Sequence, residues 1–389
     1  MRTYYKSEWI GAANACRALI AAMIAALALT ACKAGVPPPL APADPVTSER
    51  QAQAFIEALK PHRPGRPVIA VLALNEGTET TDFLLTHGLL ARSDIADVQA
   101  VAPRQGRVAL YPALQVENVQ DIAGFDRKHP SGADYVIVPA MHDDNDPRIT
   151  GWLRQQVGKG ARIIGVCAGG LVLGQAGLLD GHRFASHWYY RSTLAERHPG
   201  ATYVPHQRYV VDRGVATTTG ITASIPAMLA LVEAIGGREK AKTLAAELGV
   251  SSWNPAHDSS RFGLDAGRAW TYMVNKAAFW RHERWSMDVR DGMDDIALAL
   301  AADAWARTGR VTVDAVSASG PVRLRSGLVL AAHPAAEAAP HVPMATELKP
   351  LQQLDRGLCE IGQRFGAAQR EWVMLEMEYP GPAADCAFG

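Results

Sequence analysis

The segment Ile163–Leu173, which reads IIGVCAGGLVL, constrains the fold more than any other part of the sequence. An apolar strand runs into a turn with Cys167 between Gly165 and Gly169, and an apolar helical stretch follows. Two flanking glycines permit a nucleophile elbow, which presents the central side chain at the carboxyl edge of a parallel sheet. The helix N-terminus favours a thiolate, so we expect a lowered pKa for Cys167. The alternative is a buried cysteine at a tight turn.

The residues after the cysteine supply the other half of an elbow's chemistry. Backbone N–H groups at the start of the helix, from Ala168 and Gly169 onward, can hold an oxygen that becomes negatively charged. We therefore predict an oxyanion site beside Cys167.

Apolar runs and helical stretches alternate from Val68 to Val250. This pattern predicts an α/β fold with a mainly parallel sheet that helices cover on both faces. We place the main domain at residues 66–250. Residues 251–389 differ in character and predict a smaller C-terminal α+β region of unknown role. That region carries a helix over Asp294–Trp305 and strands at Val311–Val316 and Leu324–Ala332.

The N-terminus predicts export. Residues 1–31 combine a basic start with the apolar run Ala18–Leu29, which is too short for a typical membrane span. The run ends in LTAC and resembles a bacterial lipoprotein signal, with Cys32 as the lipidated residue. An uncleaved anchor helix or a plain secretory signal are the alternatives. Lys33 favours the periplasmic face of the outer membrane, and the proline-rich residues 32–65 predict a tether.

Cysteine content and charge narrow the compartment and the partners. The chain has five cysteines, and in an oxidising periplasm Cys359 and Cys386 either pair or remain two separate thiols. Its formal net charge of +0 gives no general attraction to phosphates, so we expect no nucleic-acid partner. The run His142-Asp143-Asp144 predicts a solvated loop and no metal site, because three adjacent residues do not converge on one ion.

The stretch Gly165–Trp188 resembles the ThiJ/PfpI family of the class I glutamine amidotransferase-like superfamily. Its AGLLDG and SHW elements are most similar to the branch of isocyanide hydratases and AraC-type regulator sensor domains. The resemblance covers Arg66–Val250 and implies a flavodoxin-like sandwich. Members of the family are often homodimers and generally need no metal or organic cofactor, so the resemblance implies the same for this chain.

The resemblance assigns further site residues. An acidic side chain from the first strand-to-helix loop contacts the nucleophile in the family, and Asp82 matches it, with Glu79 as the competitor. A carboxyl group beside a thiolate should stay protonated and could act as a general acid. His187 matches a family histidine that is either catalytic or part of the core.

Three positions depart from the family pattern. Ala168 stands where protease-like members carry His and hydratases carry Thr, which weakens both assignments. Ala140 and Met141 replace two glycines, and this change narrows the site or alters its oxyanion donors.

The sequence therefore predicts an exported, lipid-anchored enzyme that uses Cys167 on a small electrophilic substrate, as a hydratase or hydrolase. The alternative is a non-catalytic module that senses a small ligand or an oxidant. We recognise no helix-turn-helix motif, and a lipoprotein could not reach the chromosome. If the chain is a lipoprotein, these two points argue against a transcription factor.

Overall fold

The fold is described from a computed structural model of the chain. It describes residues 45–277, 282–334, 339–345, 347–381 and 386. The predicted signal peptide and Cys32 lie outside these residues. No helix within the described ranges has both the length and the apolar character needed to cross a membrane.

The strands are short, and most of them belong to one sheet. In chain order they are β1 (Val68–Leu72), β2 (Thr78–Glu79), β3 (Asp97–Ala102), β4 (Gly106–Tyr111), β5 (Gln115–Asp121), β6 (Tyr135–Val138), β7 (Arg162–Gly165), β8 (Arg183–Phe184), β9 (Thr202–Tyr203), β10 (Tyr209–Asp212), β11 (Val215–Thr218), β12 (Glu283–Asp288), β13 (Val311–Val316), β14 (Val322–Arg323) and β15 (Val329–Leu330).

Helices separate most of these strands and cover the sheet. In chain order they are α1 (Pro45–Ala58), α2 (Thr80–Ser93), α3 (Ile122–Lys128), α4 (Pro147–Gly158), α5 (Gly169–Gln175), α6 (Arg191–Arg197), α7 (Ser224–Gly236), α8 (Arg238–Leu248), α9 (Ala266–Ala277), α10 (Asp295–Ala306), α11 (Pro350–Phe365) and α12 (Ala367–Glu376).

The centre of the sheet is parallel, as the sequence predicts. Strands β5, β3, β1, β6, β7 and β11 lie side by side in this order and run in the same direction. Val71, Ile137 and Ile164 are fully buried because helices cover both faces. Burial of each such side chain contributes about 1.5–3 kcal/mol. The α/β class and the flavodoxin-like arrangement of this sheet are thus confirmed.

The order of the strands determines where a site can form. Strand β1 lies between β3 and β6, so the chain moves to one side of β1 first and to the other side later. The loops after neighbouring strands diverge at such a switch point and leave a crevice at the carboxyl edge. The loops after β1, β6, β7 and β11 all open at this edge.

The C-terminal region is built onto the same sheet. The hairpin of β14 and β15 pairs with β5 and extends the sheet at one edge. Strands β12 and β13 form a separate parallel pair, and α10 packs between α2 and α11. The described residues on both sides of the predicted boundary at residue 250 belong to one compact unit. The boundary therefore marks a change in the sequence pattern, but the residues on its two sides pack in the same compact unit.

The predicted tether at residues 32–65 needs a correction from Pro45 onward. Helix α1 occupies this part, and its Phe55 and Leu59 side chains are buried. The ring of Phe55 lies 4.4 Å from that of Tyr209 on β10. The apolar face of the segment has a partner on the sheet, so this part is packed and does not act as a spacer.

Cys359 on α11 and Cys386 form a disulfide, which settles the alternative that the sequence left open. Cys167 is buried and is the free cysteine of the described residues.

Candidate active site

Cys167 sits at the predicted elbow between β7 and α5. Its φ is 55°, in the left-handed region that costs a non-glycine residue roughly 1–3 kcal/mol. Its backbone N–H donates to the Thr218 hydroxyl at the end of β11, at 3.1 Å. Such strain persists only where the surroundings enforce it, and it is typical of functional residues.

The glycines around Cys167 allow the helix to approach the sheet. A Cβ atom on Gly169 would lie 1.9 Å from the backbone oxygen of Val138 on β6. On Gly165 it would lie 2.8 Å from a methyl carbon of Leu173. Backbone cannot move aside as a side chain can, so Gly169 is the stricter requirement of the two.

Asp82, on the first turn of α2, is fully buried near Cys167. Its Oδ2 accepts a hydrogen bond from the Ala140 N–H at 3.0 Å, whereas its buried Oδ1 has no partner among the described residues. Burial raises the pKa of Asp82 from 3.8 to about 8. Asp82 is therefore a neutral acid at pH 7, with one oxygen free to carry the proton.

Glu79, the competitor for this role, is engaged on both oxygens. Its Oε2 accepts from the Asp82 N–H at 2.6 Å, as an N-cap of α2. Its Oε1 pairs with the Arg307 guanidinium at 2.6 Å. Glu79 therefore orients Asp82, and Asp82 is the acid with an unengaged oxygen.

Arg307 is a site residue that the sequence analysis missed. Its guanidinium pairs with Glu79, with Asp303 at 2.7 Å and with Glu376 at 3.1 Å. Burial lowers its pKa, but the three carboxylates raise it by more, so the guanidinium stays charged. One sequence signal was available: Asp303 interrupts the apolar α10, and Arg307 follows it by one helical turn.

The environment reverses the pKa that we expected for the thiol. Burial raises the pKa of Cys167 well above its usual value, and the neighbouring carboxyl groups of Asp82 and Glu79 raise it further as they ionise. Arg307 lowers the thiol pKa, but by less, and Glu378 opposes it. With a side chain only 6% exposed, Cys167 is a protonated thiol at neutral pH in this conformation.

His187 does not have the free nitrogen that a general base needs. Its Nδ1 accepts from the Tyr189 N–H at 3.3 Å, and its Nε2 donates to the Glu376 carbonyl at 3.1 Å. Burial lowers the pKa of His187, which favours the neutral ring that this pattern requires. Of the two roles that the sequence left open, this geometry favours the core role, in which His187 holds the end of α12 in place.

The loop after β6 has different oxyanion donors from those expected. The N–H of Ala140 is taken by Asp82, and its carbonyl accepts from the Glu79 N–H at 2.8 Å. In the part of the chain that the structure describes, the backbone N–H groups of Met141 and Ala168 have no acceptor. These two groups are the candidate donors to a substrate oxygen or nitrogen.

The His142-Asp143-Asp144 run does not converge on one point. The His142 ring stacks on Tyr111 at 4.1 Å, and Asp144 pairs with Arg197 at 3.3 Å. The described residues contain no group of three or more His, Cys, Asp or Glu side chains arranged for a metal ion.

Two tyrosines complete the surroundings of Cys167. The pKa values of Tyr111 and Tyr190 are raised, mainly by burial and also by the nearby charge of Cys167. Both hydroxyl groups therefore stay protonated near the thiol and can donate hydrogen bonds.

The last turn of α12 and the residues after it cover the elbow from the other side. The Leu375 carbonyl accepts from the Trp188 indole at 2.9 Å, and the Glu378 carbonyl accepts from the Thr222 hydroxyl at 3.0 Å. A Cβ atom on Gly220 would lie 2.2 Å from the Cβ of Glu378, so the two chains are in close contact. The C-terminal region, which offered little chemistry in the sequence, forms one wall of the site.

Residues 68–234 match the model of the DJ-1/PfpI family. An isonitrile hydratase from Pseudomonas putida is 34% identical over 120 residues, 31% of this chain and 49% of the relative. The HTH-type transcriptional regulator GlxA from Rhizobium meliloti is 30% identical over 195 residues, 49% of this chain and 56% of the relative. This chain thus spans about half the length of these two relatives.

Solved structures are similar over the same region. The crystal structure of Drosophila melanogaster DJ-1beta has a TM-score of 0.43 and 22% identity, and the match covers 48% of this chain and 100% of that one. A ThiJ/PfpI family protein from Pseudomonas syringae has a TM-score of 0.42 and 25% identity, over 47% of this chain and 74% of that one. The match to the DJ-1/PfpI family model at residues 68–234 covers less than half of this chain.

Proposed function

We propose that this protein is an enzyme in which Cys167 attacks a small electrophilic carbon, such as that of an isocyanide, an aldehyde or an amide-like group. One observation carries the proposal. The cysteine occupies a strained elbow position with φ of 55°, beside the neutral acid Asp82, whose Oδ1 has no partner among the described residues.

The chemistry follows from these groups. Attack forms one S–C bond and reduces the order of a carbon–nitrogen or carbon–oxygen bond in the substrate. Asp82 gives its proton to the oxygen of an aldehyde or amide, or to the attacked carbon of an isocyanide, and regains one from the Cys167 thiol, so the proton count is unchanged. The free N–H groups of Met141 and Ala168 can stabilise the developing charge. With an isocyanide, water then displaces sulfur from the thioimidate to give a formamide. With an amide, the amine leaves first with a proton, and water then hydrolyses the thioester; both routes restore the thiol.

Substrate size and class have separate support. The thiol is nearly enclosed, so a substrate must be small. The isonitrile hydratase of Pseudomonas putida shares the matched region, which makes isocyanides the first class to test. Ala168 stands where we expect a hydratase threonine, so aldehydes and small amides belong in the same panel.

Turnover of this panel by the wild-type protein and by Cys167→Ser and Asp82→Asn tests the proposal. We expect Cys167→Ser to abolish turnover. We expect Asp82→Asn to lower kcat by roughly 100-fold or more, the usual contribution of a positioned acid. Turnover that survives Cys167→Ser would exclude the mechanism.

A second function is favoured by the burial and the raised pKa of Cys167. A protonated, 6% exposed thiol suits a non-catalytic module that binds a small ligand, or a thiol that reports oxidants once it becomes exposed. Ligand affinity that is unchanged in Cys167→Ser, without turnover in either protein, would support the binding module. Sulfenic acid at Cys167 after peroxide treatment would support the redox sensor.

We also propose that the chain is exported and anchored to the periplasmic face of a membrane through a lipid on Cys32. The basic start, the short apolar run and the LTAC sequence support this. The Cys359–Cys386 disulfide also supports it, because disulfides persist in oxidising compartments. Labelled fatty acid should enter the wild-type protein but not Cys32→Ala, and label in both would exclude lipidation at Cys32.

The family resemblance adds a homodimer to these proposals. Light scattering of the purified protein tests it directly, and a monomeric mass at all concentrations would exclude it.

A further inference from the structure

A cavity of about 610 Å³ lies where the DJ-1/PfpI domain meets the C-terminal region. Arg208, Thr219 and Thr222 line it from the domain, whereas His257, Arg261 and Glu378 line it from the C-terminal region. Cys167 is not among its lining residues. The volume lies within the range of small-molecule sites, which form preferentially at such junctions.

Arg208 places a positive charge at the wall of this cavity, and its guanidinium is unpaired among the described residues. Its side chain is half-buried, and none of the described residues pairs with its guanidinium. Burial lowers its pKa, which shows that desolvation of the cation is not balanced by a carboxylate. Arg307 illustrates the contrast, because three carboxylates surround it. A desolvated cation without a counter-charge is costly, so an anion in the cavity would be held strongly.

Glu378 brings a negative charge that is only half satisfied. Its side chain is 2% exposed, and its Oε1 lies 3.2 Å from the His257 Nε2. Its buried Oε2 has no hydrogen-bond partner in the described ranges, and the same is true of the buried Thr219 hydroxyl. Both residues line the cavity, and each has one buried oxygen whose hydrogen bond is unmade among the described residues.

The other charged groups of the cavity wall are already engaged. Asp355 accepts from the Tyr379 hydroxyl at 2.6 Å, and Asp258 accepts from Ser260. Arg261 donates to the Pro380 carbonyl at 3.2 Å. Arg261 is exposed to solvent and keeps further donors, so Arg208 and the Oε2 of Glu378 are the two charged positions of the wall that are at least half-buried and lack a partner among the described residues.

We propose that this cavity binds a small zwitterion, with its carboxylate on Arg208 and its ammonium group on Glu378. The site is additional to the elbow and does not depend on turnover at Cys167.

A matched set of ligands tests the charge requirement. The probes are linear ω-amino acids of increasing chain length, each with the corresponding carboxylic acid and the corresponding amine. We expect at least one ω-amino acid to raise the Tm of the wild-type protein and to bind by calorimetry. The acid and the amine of the same length should each bind at least about tenfold more weakly, because each lacks one charge pair. Failure of every ω-amino acid, or equal binding of the acid alone, would overturn the proposal.

Two variants tie binding to the residues. Arg208→Met and Glu378→Gln should each weaken the best ω-amino acid at least about tenfold. Arg213→Met and Glu239→Gln remove the same charges from exposed side chains that do not line the cavity, so they should leave the affinity unchanged. Equal affinity in all four variants would exclude this cavity as the site.

The ligand-free protein gives an independent test. If Arg208 is retained for a ligand, its replacement by Met removes a desolvated charge and should leave Tm unchanged or raise it. A lower Tm together with unchanged affinity would assign Arg208 a structural role and overturn the proposal.

Discussion

Asp82 is the residue whose properties depend most on the fold. On the first turn of an exposed helix it would be a solvated carboxylate that favours the helix dipole. Here the side chain is fully buried, and the Ala140 N–H is bonded to only one of its oxygens. The cost of burying the charge exceeds the benefit of that bond, so the folded protein keeps Asp82 protonated to about pH 8.

This property predicts a pH-dependent effect of Asp82→Asn on stability. In the unfolded chain Asp82 ionises near 3.8, but in the folded protein it ionises near 8. The folded state therefore binds the extra proton, and this contribution to stability is lost as pH rises between these values. Asparagine does not ionise and can still accept from Ala140. The free energy of unfolding of the variant should thus increase relative to wild type as pH rises.

Urea denaturation of both proteins at several pH values between about 3 and 9 measures this difference, because that range brackets both pKa values. The difference should stop growing above about pH 8. A difference that is constant across the range would show that Asp82 is ionised in the folded protein.

At the scale of elements, the parallel sheet was predictable because each of its central strands is buried on both faces. Continuous apolar runs such as Val68–Leu72 and Tyr135–Val138 are recognisable from the sequence alone as buried parallel strands. Strands Gly106–Tyr111 and Gln115–Asp121 were not predicted. They alternate buried with more exposed positions, and their sequences contain polar residues typical of loops.

The sequence predicted site residues only where a pattern of neighbouring residues marks them. The local strand–turn–helix pattern was sufficient to place Cys167, whereas Asp82 was predicted from the family resemblance, with Glu79 as the competitor. Arg307 contacts Glu79 across 228 residues, and no local pattern reports such a pair. The role of His187 depends on the Glu376 carbonyl, which lies 189 residues further along the chain.

The contact between α10 and α2 predicts a large effect of Arg307→Met. The variant leaves the buried carboxyl groups of Glu79 and Asp303 without their cation. Breaking a buried pair in this way typically costs about 3–5 kcal/mol. Arg325→Met is the matched control, because the Arg325 side chain is 48% exposed, and exposed pairs contribute roughly 0–1 kcal/mol.

Chemical denaturation of the two arginine variants and the wild-type protein measures the two costs. Equal losses of stability in Arg307→Met and Arg325→Met would mean that the Arg307 cluster is solvated and does not hold α10 against α2.

At the scale of the whole molecule, the C-terminal region forms one wall of the elbow site. Glu376 and Glu378 contribute to the wall over Cys167, and both lie inside the loop that the Cys359–Cys386 disulfide closes. The covalent link restricts how far this part of the chain can move from the sheet. Access to the thiol is therefore coupled to the stability of the cover.

Removal of the disulfide should make Cys167 more reactive. Cys359 and Cys386 are 27 residues apart, and closure of a loop of this size contributes roughly 3 kcal/mol to stability. In the double variant Cys359→Ser/Cys386→Ser the cover should open more often, so iodoacetamide should modify Cys167 at least about tenfold faster than in wild type. Peptide mapping by mass spectrometry assigns the modified cysteine. If the variant is less stable but Cys167 reacts at the wild-type rate, the residues inside the disulfide loop do not limit access, and substrate reaches the thiol by another path.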